Sequence, residues 1–217
     1  MGLRTQQMRT IKLMNMHICS GEDCDWNVWP RLEPATKIPE GLAHFEVGSA
    51  HKHPNDYCHF YIDDYRFERI WQRPEAYLDT FAKYSGLIGP DFSTYSDMPY
   101  PMQLWNVYRS RALTYWWQQL GFDVIPVIMS SSRDTRDIFN EGLPRHSVLS
   151  ASSVGMKRNK RHAAAFAEAM EYACATLEPT ALVMYGSKID FDSRGAEVYW
   201  YKNDSTARLH EDRSVPR

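Results

Sequence analysis

Apolar and polar positions alternate along the middle of this chain in short blocks that change period. LAHFEVG (42–48) and CHFYIDD (58–64) read as strands, by alternation or by brief apolar runs bounded by turn residues. After Trp71 the segment PEAYLDTFAKY opens on Pro74, a favourable first-turn residue, and repeats Tyr77, Phe81 and Tyr84 at helical spacing. GLIGPDFS (86–93) is the next strand, followed by a loop with Pro99 and Pro101. A long helix is then predicted from about Met102 to Leu120. Its core-facing stripe is expected to be Trp105, Tyr108, Ala112, Trp116 and Leu120, and Gly121 is expected to close it in a left-handed conformation.

FDVIPVIM (122–129) is nearly all apolar, as expected for a strand covered on both faces. A short helical piece at Arg133 to Glu141 leads to the strand HSVLSAS (146–152), an alanine-rich helix from His162 to Leu177, and the strand ALVMYGS (181–187). AEVYWY (196–201) is expected to add an antiparallel edge. Strands joined through helices imply parallel pairing with right-handed crossovers, hence an α/β class. The expected architecture is a mainly parallel sheet of repeated βα units, reduced or distorted from a TIM-type barrel because the chain falls short of about 250 residues. An open doubly wound sheet is the alternative.

Composition narrows the function classes. In 217 residues, 43% hydrophobic and 13% aromatic, one domain with a sizeable core is expected, flanked by an irregular arm (1–40) and a disordered tail (203–217). A formal net charge of -2 argues against coating nucleic acid through bulk charge. No apolar run approaches the ~20 residues of a membrane span, and the N-terminus has no secretory apolar core, so no membrane partner and a cytoplasmic location are expected. No feature of the pattern fixes an oligomeric state. The four cysteines, Cys19, Cys24, Cys58 and Cys174, are scattered and are expected to be reduced. His17, Cys19 and Cys24 approach zinc-ligand spacing without a second pair, and His51, His53, Asp56 and His59 match no standard metal site.

Chemistry-bearing residues collect after the strands. Asp63 and Asp64 are expected to end the second strand, Asp91 and Ser93 the third, Ser130 and Ser131 the fourth, Ser152, Ser153 and Gly155 the fifth, and Gly186 and Ser187 the sixth. In parallel α/β folds ligands bind outside the carboxyl ends of the strands, so these positions would share one rim. Asp63, Asp64 and Asp91 are candidate catalytic acids or bases, and Asp64 and Asp91 candidate ligands for a divalent cation such as Mg2+ or Mn2+. The structural alternative is that Asp63 caps a turn while Asp64 and Glu68 pair with Arg66 or Arg69.

Ser93, Gln103, Asn106 and Arg109 are candidate ligand-binding residues near the start of the long helix. Arg109 has a second candidate role as the buried ion-pair partner of Asp91 or Asp64. Ser152 and Ser153, with Lys157 and Arg158 just before a helix, are a candidate phosphate grip, because cations at a helix N-terminus call for a compensating anion; a solvated basic turn is the plainer reading. No Walker loop, dinucleotide fingerprint, G-x-S-x-G elbow or H-E-x-x-H helix is present.

Taken in order, HFYIDDYRFERIW, PDFSTYSDMP, QLWNVYRSRAL, WWQQLGFDVIP and LVMYGS resemble the family catalogued as domain of unknown function 4417, common in bacterial, bacteriophage and plasmid genomes, across roughly residues 40–190. The resemblance implies a mobile-element setting and adds weight to phosphate-bearing ligands. Two functions follow as expectations. One is a hydrolase or transferase acting on a nucleotide or nucleic acid at the rim. The other is a non-enzymatic DNA-binding or replication-accessory protein using Arg133, Arg136, Arg158 and Arg161.

Overall fold

The computed structural model describes residues 14–19, 29–46, 50–130 and 132–203, and the side chains of His51 and Arg158 lie outside that description. The strands are β1 (Gly41–His44), β2 (Asp56–His59), β3 (Gly86–Ile88), β4 (Val124–Ile125), β5 (Val148–Ser152), β6 (Ala181–Tyr185) and β7 (Glu197–Tyr201). The α-helices are α1 (Asp64–Gln72), α2 (Leu78–Phe81), α3 (Tyr100–Gln119), α4 (Arg136–Asn140) and α5 (Lys160–Leu177). Each step from β2 to β6 passes through helix, so every one of those strands returns in the same direction.

All the ladders are parallel. β1, β2, β3 and β4 form one sheet in sequential order, and β5, β6 and β7 a second. β7 therefore corrects the antiparallel edge expected for AEVYWY. It pairs parallel to β6, with Ala181 opposite Glu197 and Tyr185 opposite Tyr201, because residues 186–196 carry the chain back across the sheet before it pairs. The sequential order has no reversal point, which removes the doubly wound alternative.

The sheets meet at one bridge, Val127 to Ser150. Pro126 follows the two-residue β4 and has no N–H to donate, so the ladder turns there. Its carbonyl accepts from the Ser150 N–H at 2.9 Å, and the Ile128 N–H donates to the Ser150 carbonyl at 2.8 Å. Among the described residues no ladder joins β1 to β7, so a closed barrel is not formed; the Tyr201 hydroxyl donates to the Pro39 carbonyl at 2.5 Å across that seam.

Strand alternation sorts the core into two. Val183 and Tyr185 of β6 pack with Cys58, Leu87 and Ile125 of the first sheet, whereas Leu149, Ala151, Leu182 and Met184 face Phe166, Met170, Ala173 and Leu177 of α5. The sheets also touch across the interior: the rings of His59 and Tyr185 lie 4.2 Å apart. The Tyr61 hydroxyl is 2.6 Å from Ser150 Oγ. These contacts bring β2 and the segment after it against β5 and β6, strands of the second sheet far from it in order.

Helix α3 departs from its expected face. Ala112 is buried as expected, but Trp105, Tyr108 and Trp116 are half-buried and Leu120 is 49% exposed. Buried instead are Val107, Leu113 and Trp117 together with Gln103, Asn106, Arg109 and Arg111. The helix is covered on most sides, so its aromatics do not mark a single inward stripe. Gly121 has the expected positive φ, +87°, just beyond the helix.

Residues 29–40 are irregular apart from a bridge between Ala35 and Val148. Cys19, Cys58 and Cys174 are free thiols, and no helix among the described residues is long and apolar enough to cross a membrane. Cys24, Ser131, residues 1–13 of the arm and residues 204–217 of the tail lie outside the described residues.

Candidate functional site

A cavity of about 650 Å³ opens where the strands end. Every strand contributes at or just past its carboxyl end: His44 from β1, Tyr61 to Asp64 and Arg66 from β2 and α1, Asp91 and Ser93 to Tyr95 from β3, and Ile128 to Ser130 from β4. Ser152, Val154 and Met156 follow β5, Phe166 and Met170 come from α5, Tyr185 ends β6, and Asn203 follows β7. Parallel strands in sequential order put residues nearly 160 positions apart on one rim, as the strand-end argument requires.

The acids differ in their surroundings. β2 stops at His59, earlier than the sequence pattern suggests, and Asp64 lies in the first turn of α1. Asp63 occupies the N-cap position without making a side-chain cap and is exposed, which corrects the capping role considered for it. Asp64 is half-buried and takes two hydrogen bonds from one residue: the Ser93 N–H donates to Oδ2 at 3.0 Å and the Ser93 hydroxyl to Oδ1 at 2.9 Å.

Asp91 takes no hydrogen bond among the described residues. Burial, with the nearby charge of Asp64 adding to it, pushes its carboxyl up to about 7. Tyr61 lies beside it, and its phenol is pushed well up, first by burial and then by Asp91. Burial and the neighbouring His44 lower His59 to about 3, so a neutral imidazole packs against Tyr61 and Tyr185, whose own rings stack 5.5 Å apart. Its Nδ1 accepts from the Tyr61 N–H at 3.2 Å.

The residues on α3 hold the loop after β3. Gln103 donates from Nε2 to the Met98 carbonyl at 2.8 Å, and Asn106 from Nδ2 to the Ser93 carbonyl at 2.6 Å. Arg109 pairs with neither Asp64 nor Asp91. Its Nη1 donates to both oxygens of Glu68 at 2.8 Å and its Nη2 to Asn106 Oδ1 at 2.6 Å, with the guanidinium 3.9 Å over the Phe92 ring. These three lie behind Ser93 and Asp91, outside the cavity lining.

Of the residues in the expected phosphate grip, Ser152 lines the cavity. Ser153 is turned away, its hydroxyl donating to the Ser187 carbonyl at 2.6 Å. Gly186 makes that approach possible: its φ is +116°, and a Cβ there would lie 2.8 Å from Ser153 Oγ. Lys157 is exposed and outside the lining. The α5 N-terminus is capped by Asn159, whose Oδ1 accepts from the Arg161 N–H at 2.8 Å, so it does not need an anion for that donor.

Of the members of the His51–His59 cluster, His53 pairs with Asp56 at 3.0 Å and His59 lies in the core. Among the described residues no three His, Cys, Asp or Glu side chains stand together as metal ligands. The sequence patterns missed His44, Arg66, Tyr61 and Tyr185. Arg66 was readable as the only Lys or Arg within two residues after the paired acids; the tyrosines look like ordinary core residues until the strand ends are brought together.

The sequence profile of a domain of unknown function, DUF4417, matches residues 22–202. The chain belongs to this family. Two relatives of this DUF4417 chain are phage proteins. The Gene 1 protein of Mycobacterium phage D29 is 33% identical over 160 residues, 72% of this chain and 59% of the phage protein. The Gene 1 protein of Mycobacterium phage L5 is 35% identical over 164 residues, 72% of this chain and 70% of the phage protein. The chain thus spans about three fifths of the length of the D29 protein. No solved structure matches this DUF4417 chain.

Proposed function

We propose that the strand-end cavity is a catalytic site for hydrolysis or group transfer on a phosphate-bearing substrate, a nucleotide or nucleic acid. The observation that carries the reading is Asp91, an acid raised to about 7 inside a cavity that also presents Asp64. A carboxyl titrating near neutral pH is suited to giving or taking a proton during the reaction, and paired acids in unlike surroundings divide the work of acid and anion. Arg66 is the Lys or Arg side chain in the lining, and it forms no ion pair among the described residues, so it is available to a phosphate.

A divalent cation fits the same arrangement if Asp64 and Asp91 each give an oxygen. Mg2+ is commonly held by one or two carboxylates and takes the rest of its shell from substrate phosphate and water, which suits a site where the described residues supply no third acidic, His or Cys ligand. The non-enzymatic DNA-binding reading has less support. Arg133 and Arg136 both pair with Glu168, at 2.6 and 3.3 Å, and Arg136 is largely covered. A basic surface built on them is partly neutralised.

The test is thermal unfolding of the protein with Mg2+ or Mn2+ and a panel of nucleotides and oligonucleotides. Stabilisation by a phosphate-bearing ligand that is lost in Asp64→Asn and Asp91→Asn is expected. No stabilisation by any member of the panel, or equal stabilisation of both variants, removes the proposal.

A further inference from the structure

The cavity has two unlike halves. Its carboxylates and Arg66 all come from the ends of β2 and β3, whereas among the described residues no charged side chain from the β4 to β7 side lines it. That second side offers Met129, Val154, Met156, Phe166 and Met170. An apolar wall facing a charged one selects a ligand with two unlike ends, because each end loses free energy against the wrong wall. Thioethers around a phenyl ring are an adaptable surface for a flat ring, favoured by sulfur–aromatic contact.

An alkyl chain fits this wall poorly. Ser130 and Ser152 also line it, and Ser152 Oγ accepts from the Val154 N–H at 3.2 Å, which leaves its proton to donate. Tyr61 supplies the opposite function. The Ser150 hydroxyl donates to the Val183 carbonyl at 2.7 Å, so the bond between Ser150 and Tyr61 is satisfied when the phenol is the donor; the phenol oxygen of this lining residue then keeps acceptor capacity. Donors and acceptors beside an apolar wall suit a ring with heteroatoms and would be left unpaired by hydrocarbon.

We infer that the ligand is a free nucleoside phosphate, its base against the Met129, Met156 and Phe166 wall and its phosphate toward Arg66. This rests on the phosphate reading given above for the same site. A volume of about 650 Å³ is within the usual range for a small-molecule pocket. A polymer would also need a track of free cations, which the pairing of Arg133 and Arg136 with Glu168 and the net charge of -2 do not favour.

Calorimetric titration of the protein, with Mg2+ present, tests the inference against the common nucleoside 5′-monophosphates, the corresponding nucleosides, ribose 5-phosphate, dimethylallyl phosphate and a short single-stranded oligonucleotide. At least one monophosphate is expected to bind about tenfold or more tightly than ribose 5-phosphate. Val154→Asn, at a position 41% exposed, and Met156→Gln add polarity without charge and should cut that ratio, weakening the monophosphate more than ribose 5-phosphate. Equal binding of ribose 5-phosphate and the monophosphates overturns the inference and leaves the phosphate reading standing. Preference for dimethylallyl phosphate or for the oligonucleotide also overturns it. Nucleosides that bind as tightly as their monophosphates support the base wall and count against the phosphate reading; silence from every probe overturns both.

Discussion

Ser93 holds both oxygens of Asp64, one through its N–H and one through its hydroxyl, across 29 residues of sequence. Ser93→Ala removes the hydroxyl bond and keeps the N–H, and Asn106 still holds the Ser93 carbonyl. The variant is expected to lose about 1 kcal/mol in denaturant unfolding. It should also lose several-fold in ligand affinity through a freer Asp64, measured in the same titrations as wild type. Full affinity in a folded Ser93→Ala protein would show that the orientation of Asp64 does not matter.

Asp91 gives a signed pH dependence. Its carboxyl is raised from 3.8 to about 7, so between those values the folded protein binds a proton that the unfolded chain has released. That contribution to stability is complete below about pH 4, fades as pH rises toward 7, and is absent above it. Asp91→Asn should flatten this part of the stability–pH curve and be the more stable protein at pH 8, by on the order of 2 kcal/mol given that the residue is half-buried. Parallel curves for the two proteins between pH 4 and 8 would refute the assignment.

Arg109 and Glu68 join α3 to α1 by a bidentate pair. Arg109→Ala should cost about 3 kcal/mol, since it also strands Asn106 Oδ1 and uncovers Phe92, whereas Glu68→Gln should cost about 1 kcal/mol. A double-mutant cycle with a coupling near zero would assign the Arg109 effect to packing alone.

Arg111 is fully buried and meets two carbonyls rather than a carboxylate: Nη1 donates to Val127 at 2.9 Å and Nη2 to Phe139 at 2.7 Å. It ties the end of β4 to α4. Arg111→Met removes a desolvated cation but leaves both carbonyls wanting, and about 2 to 3 kcal/mol of destabilisation is expected in chemical unfolding. A variant as stable as wild type would mean that water replaces the guanidinium.

Strand positions were legible because short apolar runs ended in turn residues, and the rim followed once the strands were parallel. The end of β2 was not legible: FYI continues an apolar run past the ladder, but of β2 only Tyr57 and Cys58 pair with β3, so the chain is free to turn and start α1 at Asp64. The inward face of α3 was hidden for a different reason. Arg109, Asn106 and Gln103 are buried because distant loops give them partners, and a pattern that sorts residues by polarity assigns them to solvent. β7 looked like an edge strand to be paired antiparallel because no helix precedes it; residues 186–196 make the crossover without one.

The bridge at Ser150, which alone joins the two ladders among the described residues, has a mechanical consequence. Asp64, Asp91 and Arg66 follow strands of one sheet, Met156 and Phe166 follow β5 of the other, and the backbone joins the two at Ser150, which donates to the Pro126 carbonyl and accepts from the Ile128 N–H. Flexing at this joint would widen or narrow the gap between the charged and greasy walls while both ladders stay intact, so grip on a ligand and rigidity of the hinge around Pro126 should vary together.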